Sequence, residues 1–249
     1  MKSFVRLVAS ERLKLSKSFI WLLVPLSPLL ALAIGLLVSF DSYDISESQA
    51  KYAMLVSAMS SFHSMLFLPI LTGIFSAFVC RYEHGSGGWK QLLTLPISRT
   101  ALYCAKFIVV ATLIALTQLL FFGAVCLAGA YHGISFDIEW APLLMAIGGS
   151  FLACLPLAAL QLLVSVSWSS FAAPLAINVM LTIPNILVLN SAKIAPFYPW
   201  AQPMLTMLTF SNDSFNGSAP TISNMLITIA GSFFVFWAAG LLYFNRKEV

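Results

Sequence analysis

The longest uncharged stretch of the sequence runs from Trp140 to Ala192, 53 residues without Asp, Glu, Lys, Arg or His. A single helix of this length would be about 80 Å long, whereas the hydrocarbon core of a bilayer is about 30 Å thick. Two membrane-spanning helices must therefore share the stretch. We place the turn between them at residues 167–170, with Pro174 just inside the second helix.

Composition extends the membrane prediction to the whole chain. Of the 249 residues, 60% are hydrophobic and 9% are charged, whereas charged residues make up about 25% of a soluble domain. The formal net charge of +4 could suggest a nucleic-acid partner, but the basic residues flank apolar runs, which is the pattern of membrane orientation. We therefore expect an all-α integral membrane protein that does not bind nucleic acid.

Six spans are predicted within one domain, residues 1–249. They cover approximately residues 19–40, 53–79, 103–130, 141–166, 172–192 and 223–244. The first is too long for a cleaved signal peptide, and we expect it to kink near Pro25 and Pro28. Residues 194–212 carry three prolines that would repeatedly break a spanning helix, so we interpret them as an interfacial or re-entrant segment on the outer side.

The basic residues predict the orientation. With both termini in the cytoplasm, 11 of the 13 lie inside: Lys2, Arg6, Arg12, Lys14, Lys17, Arg81, Lys90, Arg99, Lys106, Arg246 and Lys247. Only Lys51 and Lys193 remain outside. The outer segments include an acidic loop at residues 41–51, a second acidic segment at residues 131–140 and a polar patch at residues 212–217. A seventh span would place the chain's last basic residues outside, so six is preferred.

A polar interruption at residues 80–107 separates the second and third spans. Arg81 and Glu83 end the preceding apolar run, and glycines at residues 85–88 allow a turn. Apolar residues then recur at the spacing of one helix face: Trp89, Leu92, Leu93 and Pro96. We predict a short amphipathic helix that ends at the proline, after which Ser98 caps a new helix. A solvated loop, the alternative, would not need this apolar face.

The chain begins with a basic segment, residues 1–18, that is predicted to form a helix on the inner membrane surface. Its apolar stripe contains Phe4, Leu7, Val8 and Leu15, and its basic residues lie opposite. Glu11 falls within the apolar stripe, where a carboxylate requires a partner. That partner is either Lys14, three residues later, or a basic group on a docked protein.

Inside the predicted spans the more strongly polar residues are His63, Gln118, Gln161, Asn178 and Asn185. No carboxylate accompanies them, and the one lysine in the predicted spans, Lys106, lies at the opening of the third, whereas an ion-coupled transporter requires an ionisable relay in the membrane. Their first interpretation is hydrogen bonding between packed helices. The second is contact with substrate, for which His63, Gln118, Gln161 and Asn178 are the candidates.

The sequence predicts no catalysis by the chain itself. It contains no Ser/His/Asp set, paired carboxylates or HExxH motif, and residues 85–90 lack the GK[ST] ending of a phosphate-binding loop. The four cysteines lie in or beside predicted spans, so neither a disulfide framework nor a metal site is expected. Energy for transport would have to enter through a partner, and the helix at residues 89–95 is the obvious contact.

The interruption as a whole resembles that of ABC-2 type permeases. The resemblance rests on Glu83 after a span, the amphipathic segment, Leu95-Pro96-Ile97-Ser98-Arg99, and Lys106 in the following span. The segment Ala9-Ser10-Glu11-Arg12-Leu13-Lys14-Leu15 is similar to the Glu-x-x-Lys segment at the start of that family. Within the family the chain looks like the small six-span permeases of lantibiotic immunity exporters.

The resemblance implies a bacterial inner-membrane permease subunit that pairs with a second copy or a similar permease. It also implies a cytoplasmic ATPase that binds ATP and Mg, and export of a hydrophobic or cationic peptide antibiotic. The implied coupling residues are Glu83, Trp89, Leu92, Leu93 and Glu11. The alternatives are a non-transporting scaffold or sensor subunit, and a secondary transporter, for which inverted repeats or buried carboxylates would be expected.

Overall fold

The structure is a computed structural model that describes residues 2–40, 48–85, 88–94, 97–134, 139–210 and 221–247. Every regular element in these ranges is a helix or a helical turn, which confirms the all-α prediction. In chain order they are α1 (Lys2–Leu15), α2 (Ile20–Leu23), α3 (Leu26–Leu37), α4 (Ser48–Phe62), a π-helical turn (His63–Phe67), α5 (Leu68–Gly85), α6 (Gly88–Thr94), α7 (Arg99–Tyr131), α8 (Ala141–Ser167), α9 (Ala172–Thr182), α10 (Asn185–Val188), a 3₁₀ turn (Ala195–Phe197), α11 (Gln202–Phe210) and α12 (Ile222–Arg246).

Five helical segments of the described chain are long and apolar enough to cross a membrane: Ile20–Leu37, Ser48–His84, Arg99–Tyr131, Ala141–Ser167 and Ile222–Arg246. The predicted span at residues 172–192 is instead divided into α9 and the short α10, with Pro184 between them. A proline interrupts a helix because it has no backbone N–H. The apolar helical stretch Ala172–Val188 falls short of the about 20 residues that a span needs, so the count of six is not confirmed.

Local signals in the sequence correctly located several helix ends. The first span is interrupted at Pro25, between α2 and α3, as its prolines indicated. Ser98 caps α7, and its hydroxyl accepts a hydrogen bond from the amide of Ala101 at 3.2 Å. α8 ends at Ser167, within the turn placed at residues 167–170.

The proline-rich segment at residues 194–210 contains the 3₁₀ turn and α11, which packs mainly against α8. Trp200, Ala201 and Leu205 are buried there. α11 has nine residues, too few to cross a bilayer. Burial of this segment against α8 favours the re-entrant alternative over an interfacial one.

One end of the bundle, which we call the α6 end, brings together both described termini and α6. There Arg99, at the start of α7, donates hydrogen bonds to the last carbonyls of α12, and α1 packs against α7 and the end of α5. The predicted topology places both termini and α6 on one side of the membrane, and it therefore requires them to lie at one end of the bundle. That this side faces the cytoplasm stays a prediction, as does a membrane-surface position for α1.

Several expectations concern residues outside the described ranges. They are the turn at residues 86–87, the break at Pro96, the acidic residues of 41–47, Asp137, the polar patch at 212–217 and the side chain of Leu93.

Candidate functional site

Four charged side chains from three helices meet at the α6 end, and we call them the charge cluster: Glu11 and Lys14 of α1, Glu83 of α5 and Lys106 of α7. The Lys106 ammonium lies 2.7 Å from Glu11 Oε2 and 2.9 Å from Glu83 Oε1. The Lys14 ammonium lies 2.8 Å from Glu83 Oε1 and also pairs with Glu11 Oε1. The charge cluster therefore joins α1, α5 and α7.

Burial makes this cluster energetically demanding. The side chains of Lys106, Glu11 and Glu83 are at most 2% exposed, while that of Lys14 is 30% exposed. Charges removed from water destabilise a fold unless they are paired and hydrogen-bonded. Lys106 meets this requirement, because its three N–H donors match Glu11, Glu83 and the carbonyl of Val79 at 2.9 Å. Two carboxylates and two ammonium groups also balance in charge.

Lys14 is a partner of Glu11, one of the two alternatives that the sequence left open, whereas a pairing of Lys106 with either carboxylate was not predicted. Glu83 is buried, because α1 and α7 supply cations from positions 69 and 23 residues away in the chain. A signal was present in the sequence. Glu11 lies in an apolar stripe and Lys106 within an apolar run, so each required a partner of opposite charge.

Trp89 anchors α6 to the bundle. Its side chain is 5% exposed, its indole N–H donates to His84 Nδ1 at 3.2 Å, and its ring packs edge-on against Phe244 at 5.4 Å between centroids. The ammonium groups of Lys106 and Lys247 lie 5.5 and 5.6 Å from the ring centroid. Trp89 was expected to take part in coupling to an ATPase; its ring packs within the bundle, and the coupling role stays a prediction.

The remainder of α6 shows which surface stays accessible. Leu92 is half-buried against the same apolar core as Trp89, whereas Gln91 and Thr94 are exposed. Trp89 and Leu92 of the predicted apolar face therefore contact their own chain, and Gln91 and Thr94 are open to a partner.

The candidate substrate residues lie away from the charge cluster, in two hydrogen-bond networks. The first connects α3, the π-helical turn, α7 and α8. Ser27 lies 2.7 Å from His63 Nδ1, His63 Nε2 lies 3.0 Å from Gln118 Oε1, and Gln118 Nε2 donates to Ser150. His63 also stacks on Phe121 at 4.0 Å. Both ring nitrogens are thus engaged within the chain, as expected for a residue that packs helices.

The second network holds α9 against α5. Asn178 accepts hydrogen bonds from Gln161 at 2.9 Å and from the Trp200 indole at 2.8 Å. Its amide donates to the carbonyls of Pro69 and Ile70, both at 3.1 Å.

Asn185, at the start of α10, makes a similar contact one turn away. Its amide donates to the carbonyl of Met65 at 2.8 Å. In an α-helix that carbonyl would accept from the backbone N–H four residues later, but residue 69 is proline and has no N–H. The amides of α9 and α10 therefore satisfy backbone groups of the second span.

The sequence matches the ABC-2 family transporter protein family over residues 7–185, well over half of the chain. The chain belongs to the ABC-2 transporter family. A search of curated proteins finds no match. The family match and the apolar helices together identify a multi-pass membrane protein that is a membrane component of a transporter. This confirms the ABC-2 part of the resemblance; the lantibiotic subgroup is not confirmed. The matched residues include the charge cluster and α6, whereas α11 and α12 lie beyond them.

Proposed function

We propose that this ABC-2 family chain is the permease subunit of an ATP-driven exporter and that its ATPase acts on the bundle at the α6 end. The observation that carries the proposal is the charge cluster beside α6. A seven-residue helix is too short to be stable alone, so α6 depends on the bundle for its structure. A force applied to α6 or α1 would reach α5 and α7 through these contacts.

The charge cluster suits transmission because its members resist separation. Breaking a buried ion pair by removal of one partner costs about 3–5 kcal/mol, since the other charge is left without compensation. Under the proposal α1, α5 and α7 move together when the ATPases close. ATP and Mg are bound by the ATPase partner, and the chain contributes α1 and the polar face of α6 as its docking surface.

We propose that the substrate is a hydrophobic or cationic peptide antibiotic. The exporter removes it from the membrane of a bacterial cell, or from the outer leaflet of that membrane, in lantibiotic-type self-protection. Support comes from the resemblance to small immunity permeases. His63, Gln118, Gln161 and Asn178 are all engaged inside the chain. Their engagement favours a substrate path between this chain and a second copy or a similar permease.

The test separates docking from transmission. The affinity-tagged chain is purified from its native host, and the ATP hydrolysis that co-purifies with it is measured. Export is measured in inverted membrane vesicles of the same host, where it is observed as uptake of labelled nisin into the vesicles. Glu83→Gln, which keeps the side-chain volume and removes the charge, should retain the associated ATPase and lower nisin transport per ATP hydrolysed. Gln91→Glu, on the exposed face of α6, should lower the association itself.

Lys193→Gln provides the matched control, because this residue is exposed and lies in a segment predicted to face outside. It should change neither quantity. Wild-type chain without associated ATP hydrolysis would contradict the permease assignment. Equal transport per ATP by Glu83→Gln and wild type would remove the charge cluster from the mechanism.

A further inference from the structure

The C-terminal end of α12 lies beside Trp89 of α6. We call Arg99 of α7, Asn245 and Lys247 the clasp. The Arg99 guanidinium donates to the carbonyl of Asn245 at 3.0 Å and to that of Lys247 at 2.7 Å. The last carbonyls of a helix have no partner within the helix, so a donor from α7 both satisfies them and fixes where the chain leaves α12. Lys247 is thereby held beside α6.

Lys247 itself connects two elements. Its ammonium donates to the carbonyl of Val166 at 2.6 Å, at the end of α8, and lies 5.6 Å from the centroid of the Trp89 ring. A cation over an indole face is attracted by the negative charge on that face. Lys247 therefore binds the end of α8 and the anchor of α6 at the same time.

His84, like Lys247, contacts both the end of α8 and Trp89. One ring nitrogen, Nε2, lies 2.8 Å from the carbonyl of Ser165, and the other, Nδ1, accepts the hydrogen bond of the Trp89 indole. Two successive carbonyls at the end of α8 are thus contacted by two side chains that both touch Trp89. Phe244 of α12 completes the enclosure of the indole.

We propose that Lys247 is a positioning residue that holds α6 against the bundle and links its movement to α8 and α12. Its part in transport rests on the proposed function of the chain. The charge cluster connects α1 to α5 and α7, whereas the clasp reaches α8 and α12. A displacement of α6 would therefore move two groups of helices through separate contacts.

The clasp can be tested on the isolated chain. Leu92 lies on α6 and is half-buried against the bundle, so a cysteine at this position reports how often α6 leaves the bundle. The reaction rate with a maleimide is measured in detergent, in a chain whose four native cysteines are replaced by alanine. Lys247→Met should raise this rate about three- to tenfold, because the ring loses one of its cations and α8 loses its link to α6. Lys247→Arg should restore the rate to within about twofold of the parent, since it retains both the charge and the donor.

Arg246→Met is the matched control, because Arg246 is adjacent to Lys247 in the sequence, has the same charge and is exposed. It should leave labelling unchanged. If Lys247→Met is not folded by circular dichroism, Lys247→Gln replaces it. Glutamine keeps a donor for the Val166 carbonyl but removes the cation, so a smaller increase in the labelling rate is expected.

An unchanged rate in the folded variant, an equal increase in Arg246→Met, or no rescue by arginine overturns the clasp. These outcomes are independent of the ATPase. Absence of ATPase association in the wild-type chain would contradict the proposed function and leave the labelling result standing.

Discussion

Replacement of Lys106 by methionine is the perturbation to which the fold should respond most strongly. Methionine is similar to lysine in length and apolar, so the change removes the charge without leaving a large cavity. Lys106 is 0% exposed and contacts Glu11, Glu83 and the Val79 carbonyl. Two buried carboxylates would then share the single cation of Lys14.

The structure sets the expected magnitude. Loss of one partner from a buried ion pair typically costs about 3–5 kcal/mol, and Lys14 offsets part of this because it already contacts both carboxylates. We therefore expect Lys106→Met to lower the free energy of unfolding by about 3 kcal/mol. Lys14→Met should cost about 1 kcal/mol or less, because its side chain is 30% exposed and solvent screens the pair.

Reversible unfolding in mixed detergent micelles, followed by circular dichroism, measures both values. The double variant Glu11→Gln with Lys106→Met should lose less than the sum of the single variants, because the first change removes one of the carboxylates left without a partner. A coupling free energy of about 1–3 kcal/mol is expected between contacting residues. A loss below about 1 kcal/mol for Lys106→Met, or equal losses for the two lysines, would refute the assigned burial and pairing.

Two further predictions follow from packing and topology. Gly73→Ala should destabilise the bundle by about 1–3 kcal/mol, because a Cβ there would lie 2.2 Å from Asn178 Nδ2. Gly123→Ala is the control and should not destabilise the bundle, because the space around its Cβ is open. Equal unfolding curves for the two variants would contradict the packing of α9 on α5. In a cysteine-free chain in intact cells, Lys193→Cys should react with an impermeant maleimide and Gln91→Cys should not, and the reverse labelling would invert the topology.

Features that depend on neighbouring residues in the sequence could be predicted. The Ser98 cap and the interruption at Pro25 follow from residue types that act within one helical turn. The break at Pro184 carried the same kind of signal, but the length and apolarity of residues 172–192 led to a predicted span. The structure instead shows two short helices whose amides bond the second span.

Contacts between distant residues could not be placed in the same way. Glu11 and Lys106 are 95 positions apart, and hydropathy alone does not state which helices are neighbours. The sequence predicts an apolar face for residues 89–96, but the same spacing serves a partner's groove and the chain's own core equally well. In the structure Trp89 packs in the chain's own core, where Phe244, Lys106 of α7 and Lys247 after α12 surround it; its part in coupling stays a prediction.

ATP hydrolysis by the purified chain in lipid vesicles, with and without any ATPase that co-purifies from its host, tests the proposed permease role most directly. We expect negligible hydrolysis by the chain alone. The complex should hydrolyse ATP faster when nisin is added, and Glu83→Gln should uncouple this hydrolysis from transport. Substantial ATP turnover by the isolated chain, or nisin transport without the ATPase, would contradict this role.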